Sequence, residues 1–417
     1  MHHLPATSAM PKREAVRVFL VFAFAYFLSA LIRGITATLS PTLTHELSLN
    51  ASDLGLLAGC YFLGFSTTQL PLGTWLDRHG PKNIILSFLV VAVLGCIASS
   101  LATSFAGLVI ARTFCGVGVS ACLMAPLTGY RRWYSAPTLM RANSWMLMTG
   151  SLGMVASTLP VQWLLSVMAW RELFGILAVM AILAMVLIAW QAPRWVAFPS
   201  QEPRSDEATL GYAEVWRHPY FRQMAPLGFF CYGGLVAMQT LWAAPWMIKV
   251  TSYSPTQAAS GLFWINLAML CTFWIWGMIN PWLAKRGFHA DRLIACGLPF
   301  SFLVLAFIIG AGERLSTASA ALWALYCLSC TFVSLAHPAV GMAFVPALAG
   351  RALSAYNLVI FAGIFVVQWA VGLAVDGFQA LGLGETNAYR AAMTVFLLCS
   401  LASYIHFLIA KSHNQPI

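Results

Sequence analysis

Long apolar runs alternate with short polar turns along almost the whole chain. Mostly hydrophobic stretches cover about 15–41, 53–76, 82–104, 106–130, 142–168 and 171–192, and then about 221–248, 256–283, 290–311, 316–345, 352–375 and 389–410. Each is long enough to carry a helix across a hydrocarbon core, which takes roughly 20 apolar residues. The longest polar stretch, about 193–219, carries Pro193, Pro199, Glu202, Pro203, Arg204, Asp206 and Glu207. It separates two sets of six runs. The pattern predicts an all-α integral membrane protein with twelve transmembrane helices. An N-terminal bundle would occupy 1–192, a cytosolic linker 193–219 and a C-terminal bundle 220–417. The first run is too long for the apolar core of a cleaved signal and reads as a retained span.

Composition narrows the picture. Of the 417 residues, 60% are hydrophobic and 9% charged, against roughly 25% charged in soluble domains. A soluble fold of this size is excluded, because it could not hide so much apolar surface. The formal net charge of +10 is assigned to cytoplasmic loops facing anionic headgroups, and no nucleic-acid partner is expected. The ten cysteines fall almost entirely inside apolar runs and read as small buried hydrophobes. Cys327-x-x-Cys330 has no second Cys/His pair nearby, so neither a metal nor another cofactor is expected. No Ser/His/Asp constellation and no Gly-x-x-x-x-Gly-Lys-Ser/Thr loop occurs, which argues against an enzyme and against ATP drive.

The basic residues also set an orientation. With both termini cytosolic, every Lys or Arg outside the spans except Arg171, Lys249, Arg314 and Arg390 falls on the cytosolic side, as the positive-inside bias requires. The expected location is the plasma (inner) membrane, crossed many times by a monomer.

The sharpest local feature is the charged turn Gly73-Thr74-Trp75-Leu76-Asp77-Arg78-His79-Gly80-Pro81-Lys82. Asp, Arg and Lys cannot lie in hydrocarbon, and Gly80-Pro81 breaks the helix between two spans. Leu283-Ala284-Lys285-Arg286-Gly287 holds the corresponding place in the second half, with Ala284 where the first half has Asp77. Arg141-Ala142-Asn143-Ser144 and Arg351-Ala352-Leu353-Ser354 open the fifth and eleventh spans, which later carry Gln162-Trp163 and Gln368-Trp369. Internal repeats around a midplane site are the common plan of secondary transporters.

On these residues the chain resembles the major facilitator superfamily over essentially its whole length. Gly73-x-x-x-Asp77-Arg78-x-Gly80-x-Lys82 is similar to its signature loop between spans two and three. Arg112-x-x-x-Gly116-x-Gly118 resembles its span-four signature, and Trp170-Arg171-x-x-Phe174 a further common element. The resemblance implies two pseudo-symmetric six-helix bundles rocking around a central cavity. It also implies a gating role for Gly73, Asp77, Arg78, Gly80 and Lys82, and a conformational or proton-coupling role for Arg112. It is silent on the cargo. The Gly-x-x-x-Gly-Pro-type stretch of many drug–proton antiporters is not matched, since Gly150, Gly153 and Pro160 are spaced differently.

Arg33 lies mid-way along the first span, where an unpaired charge is expensive. Tyr26, Ser29, Arg33, Thr36 and Ser40 share one helix face by their three- and four-residue spacing. Either Arg33 binds an anionic group such as a carboxylate, or it is a structural arginine on helix carbonyls or at the membrane surface. Arg112 reads either as the conformational or proton-coupling residue that the resemblance implies, or as an interhelical tie to backbone carbonyls near Gly116 and Gly118. Tyr232, Gln239, Trp242 and Trp246 fall on one face of span seven and read either as cavity wall or as packing and interfacial belt. Ser334, His337 and Gly341 share a face of span ten, which Pro338 can kink. His337 is the titratable candidate for proton coupling, against the alternative of a satisfied structural histidine. Ser151, Thr158, Gln162, Asn266, Asn357 and Gln368 are weaker polar candidates.

No Asp or Glu lies mid-span, so a cationic cargo would lack a buried counter-charge. The sequence therefore points to a secondary transporter of a small organic anion or zwitterionic metabolite. Arg33, Tyr26, Gln239, Trp242, Tyr232 and Gln368 are its candidate substrate-binding residues, with Arg112 and His337 for coupling. The alternatives are a proton-coupled exporter of drugs or hydrophobic compounds and, from a different class, a membrane sensor that binds a metabolite without moving it.

Overall fold

A computed structural model describes residues 10–193, 195 and 211–410. The linker residues Pro199, Glu202, Pro203, Arg204, Asp206 and Glu207, together with Arg194 and Lys411, lie outside the described residues. Among the described residues nine continuous helices are long and apolar enough to cross a membrane, and divided at their breaks and joined by the remaining helices they form twelve spans. They are α1 (Lys12–Leu47), α2 (51–79), α3 (81–101), α4 (Phe105–Trp133), α5 (136–164), α6 (Trp170–Gln191), α7 (Pro219–Lys249), α8 (Pro255–Lys285), α9 (Ala290–Ala311), α10 (319–342), α11 (Pro346–Ala380) and α12 (Glu385–Ile409). Apolar side chains cover the helices, and the backbone satisfies its own polar groups, as a span in lipid must.

The span ends are set by local chemistry. Asn50 Oδ1 accepts from Asp53 N–H at 2.7 Å, and Asp53 Oδ2 accepts from Asn50 N–H at 3.3 Å, a reciprocal cap that starts α2. Ser104 Oγ accepts from Gly107 N–H at the start of α4. Helix α6 begins where Glu172 accepts from Ala169 N–H. Its neighbours Trp170 and Arg171 both reach Glu46 at the end of α1, and Arg171 Nε donates to Ala102 O. The Trp-Arg element is thus a clamp across the ends of α1, α3 and α6.

The two halves pack through three seams, α1 on α7, α2 on α11 and α5 on α8. Exchanging the halves maps α2 on α11 onto α8 on α5, which is the pseudo-two-fold symmetry of the fold. The turns repeat as well: Gly80 and Gly287 both sit at φ 79°. That left-handed conformation is open to glycine without a Cβ penalty.

An even number of spans puts both described chain ends on one face, called here the terminal face. On the opposite face the halves are tightly joined. A Cβ on Gly55 of α2 would strike the backbone oxygen of Gln368 in α11, and one on Gly372 would strike Ala51 O. Small residues permit this backbone approach. One turn beyond, Asp376 caps the start of α2 across the seam, accepting from Ala51 N–H at 3.1 Å and Ser52 N–H at 2.8 Å. These are otherwise unpaired first-turn amides at the positive end of a helix.

Candidate functional site

Between the halves lies a cavity of about 630 Å³. Tyr26, Ala30 and Arg33 of α1 form one wall, with Ser151 and Met154 of α5 beside them. Tyr232, Gln239 and Thr240 of α7 face them from the other half, with Asn266, Phe273 and Trp274 of α8 and Ser334 of α10. Towards the terminal face the wall continues through Ser144 and Trp145 near the start of α5 and Gly277 and Met278 near the end of α8. The space therefore runs from mid-membrane towards that face, while the opposite face is closed by the α2–α11 seam.

Arg33 is deep in the protein, but it keeps some accessible surface, on the cavity. Its polar side-chain neighbours are the hydroxyls of Tyr61 and Tyr26. Its guanidinium lies 5.8 Å from the centroid of the Phe65 ring, and its Nε has no hydrogen-bond partner. Among the described residues no carboxylate pairs with it, and none lines the cavity. An uncompensated guanidinium in a low-dielectric site favours an anion, and its planar fork suits a carboxylate. Opposite it, Gln239 Nε2 donates to Asn266 Oδ1 at 2.8 Å. That bond leaves Gln239 Oε1 and the second Nε2 proton for hydroxyl groups of a cargo.

Four expected site residues stand elsewhere. Trp242 is fully buried and donates from Nε1 to Gln368 O at 3.2 Å. Gln368 is equally buried, with Nε2 donating to Thr240 Oγ1 at 2.9 Å. Both knit α7 to α11 and neither lines the cavity. For Trp242 the reason is a break in helical period: α7 has i→i+5 turns at Gly228–Tyr232 and Met238–Trp242. Each inserts a residue and sets the following face back by about 100°. Trp246 likewise packs edge-on against Trp323. His337 stands outside the cavity, its Nε2 2.9 Å from Asn357 Oδ1, so it has no contact with the cargo space.

Arg112 is buried and ties α4 to α1. Its Nη1 and Nη2 both donate to Ile32 O at 3.1 Å, and Nη2 donates to Thr36 Oγ1 at 2.7 Å. These acceptors flank Arg33 in sequence. In this conformer Arg112 therefore fixes the segment of α1 that presents Arg33. Tyr61, beneath both cations, and the cavity tryptophans Trp145 and Trp274 were not singled out from the sequence. A tyrosine in mid-span of α2 was the available signal for Tyr61. The two tryptophans carried none, because aromatic residues are common throughout this chain.

At the charged turn Gly80 packs under the Trp195 ring, which also carries the Arg132 guanidinium at 3.8 Å. Lys82 Nζ donates to Ala192 O at 2.9 Å. The charges acting on Asp77 are Arg132 and Arg131 at the end of α4, in its own half. Gly73 and Arg78 are exposed. A Gly80→Ala change places a Cβ in a conformation that only glycine adopts readily and drives it into Trp195. Loss of about 1–3 kcal/mol of stability is expected, read as a lowered Tm. A Trp195→Ala companion would relieve the steric part and leave the backbone part.

The family model for the major facilitator superfamily matches residues 22–368. The chain belongs to the major facilitator superfamily. Among solved structures of this superfamily fold, it is similar to a bacterial homolog of the human lysosomal transporter Spinster in an inward-facing, unoccupied conformation. The TM-score is 0.77 at 18% identity, covering 96% of this chain and 97% of the other. A D-xylose–proton symporter superposes with a TM-score of 0.74 at 14% identity, covering 93% and 97%. Among named superfamily relatives, the chloroplastic ascorbate transporter of Arabidopsis thaliana is 22% identical over 387 residues, covering 86% of this chain and 68% of the relative. The hexuronate transporter of Escherichia coli K12 is 28% identical over 169 residues, covering 40% and 39%. A probable L-galactonate transporter of the same strain is 25% identical over 179 residues, covering 43% and 39%. The match thus spans about four-tenths of those two bacterial proteins. As a superfamily member the protein is a membrane transporter and not an enzyme.

Proposed function

We propose that the protein moves small organic anions by alternating access, and that polyhydroxylated carboxylates are the preferred class. The observation that carries this reading is Arg33 on the wall of a cavity whose described lining holds no carboxylate. The Gln239–Asn266 amide pair and the hydroxyls of Tyr26, Tyr232, Thr240, Ser151 and Ser334 supply partners for cargo hydroxyls. The relatives' names, which include ascorbate, hexuronate and L-galactonate, favour the same chemistry. In this reading the halves 1–192 and 220–417, joined by 193–219, rock about the cavity in a plasma membrane, as a monomer with both termini cytosolic. Arg112 acts as a positioning residue for Arg33. A drug-exporter reading gains nothing from a cavity without an acidic residue.

The test is a ligand-stabilisation screen of purified protein with sugar acids, dicarboxylates, zwitterionic amino acids and cationic drugs. Flux of each hit is then measured in proteoliposomes, with and without an imposed pH gradient. Stabilisation by carboxylates followed by their flux is expected, and acceleration by the gradient would assign the proton as coupling ion. Stabilisation by cationic drugs alone overturns the substrate class. Binding without flux points to a sensor.

The charged turn is the gate in this proposal. The partners of Asp77, Gly80 and Lys82 are Arg131, Arg132, Trp195 and Ala192, none of them in the C-terminal half. Asp77 is then free to engage the other half when the terminal face closes. Only contacts that differ between the two states bias their equilibrium. Asp77→Asn is therefore expected to slow turnover by roughly tenfold while ligand affinity stays within about twofold. Equal loss in both would show that the turn is not a gate.

A further inference from the structure

A second recess, of about 450 Å³, lies outside the central cavity at the terminal-face ends of α1 and α5. Two hydrogen bonds build it: Met10 N–H donates to Trp133 O at 3.2 Å, and Tyr134 Oη donates to Ala15 O at 2.7 Å. Together they hold the start of α1 against the α4–α5 junction. The floor is polar and basic. Lys12 and Arg141 line it, with Ser135 and Thr138, whose hydroxyls are 3.0 Å apart. No side chain caps the start of α5, so its first-turn amides add positive potential there. Among the described residues neither Lys12 nor Arg141 has an ion-pair or hydrogen-bond partner, and no acidic side chain lines the recess. Glu14, on the same turn of α1 as Lys12, is not part of the lining.

The outer wall is apolar and uncovered. Val16 and Leu20 of α1 are 56% and 58% exposed, and Trp145 of α5 is 63% exposed. On spanning helices such residues face acyl chains. A cationic, hydroxyl-lined floor at the membrane surface, continuous with an apolar wall running into the bilayer, matches one ligand shape: a phosphate headgroup with its chains attached. We propose that this recess is a binding site for an anionic phospholipid. Lys12 and Arg141 take the phosphate, the Ser135–Thr138 hydroxyl pair, in which one donates to the other, offers its remaining proton to the phosphate oxygens, and the acyl chains lie along Val16, Leu20 and Trp145. Trp145 also lines the central cavity, so a bound lipid seals the α1–α5 seam on the terminal-face side. A soluble anion would satisfy the floor but leave the wall bare, which is why a lipid is favoured.

The test uses the full-length protein in detergent, titrated with phosphatidylglycerol, phosphatidylcholine or glycerol 3-phosphate, with bound lipid counted by native mass spectrometry and stability followed by thermal unfolding. The comparison is wild type against Lys12→Gln/Arg141→Gln, with Lys285→Gln/Arg286→Gln as a control for general surface charge. Phosphatidylglycerol should bind and stabilise the wild type in preference to phosphatidylcholine. The Lys12/Arg141 variant should lose that preference by roughly 30-fold, from two basic contacts at an anionic surface, and the control should keep it. Both altered residues sit at the surface end of the helices, and an unchanged Tm without lipid verifies that the variant folds. Three results would overturn the proposal: retained preference in the Lys12/Arg141 variant, equal loss in the control, or full stabilisation by glycerol 3-phosphate alone. The last would reassign the recess to soluble anions.

Discussion

Arg33→Gln is expected to weaken binding of carboxylate ligands by about 2–5 kcal/mol, roughly 30- to several-thousand-fold in Kd. Isothermal titration against any carboxylate hit measures it. The size follows from where the guanidinium sits. Its described polar neighbours are tyrosine hydroxyls, and no carboxylate shares its charge. A bound carboxylate would be its principal counter-charge, in a site walled by Phe65, Phe273 and Trp274. Fold stability should change little, because Arg33 has no ion pair to break and its Nε is already without a partner. Arg33→Lys keeps the charge but loses the planar fork. It should fall between wild type and Gln, and should discriminate less between a carboxylate and a spherical anion. If carboxylates bind Arg33→Gln as tightly as wild type, Arg33 is a structural residue and the anion reading loses its main support.

The spans were legible because lipid imposes a coarse rule: some twenty apolar residues, then a charged or broken turn. Gly80-Pro81 could be read as a break on that rule, and the echo at Gly287 adopts the same φ. Arg33 and Tyr26 could be placed on one cavity wall because α1 is regular there, and Tyr232 and Gln239 face them across it. Trp242 could not, since an i→i+5 turn leaves no mark in a hydrophobic pattern, and Gln368 could not, since its partner Thr240 lies on a distant helix. The acceptors of Arg112 are a backbone carbonyl and a hydroxyl some eighty residues away. Long-range backbone partners of that kind have no sequence signature. Asp376 shows the same limit: its position at the end of a span was readable, but its role as a cap on α2 depends on how two halves meet. Trp195 over Gly80 lies next to a polar stretch with no periodicity at all.

The α2–α11 seam gives the second large effect. At Gly55 any side chain meets the backbone of Gln368, which cannot rotate away as a side chain would. Overpacking of this kind costs about 1–3 kcal/mol. Here the cost falls only on the conformer in which the seam is closed. Gly55→Leu is therefore expected to shift the equilibrium away from the conformer described above by about 2 kcal/mol, close to 30-fold in population. The readout is built into the fold. Ala51 and Ser52 are first-turn amides that would exchange freely in an isolated helix, and here they are held by Asp376. In hydrogen–deuterium exchange the wild type should protect them, and Gly55→Leu should expose them while α2 beyond its first turn stays protected. Asp376→Asn should give the same exposure with a smaller population shift, since it weakens the cap without adding volume. Protection of both amides in Gly55→Leu would mean that α2 and α11 absorb the side chain without parting, and that this seam is not what closes the face. Exposure throughout α2 would instead indicate local unfolding. The two helices move as rods only if the loss is confined to the capped turn.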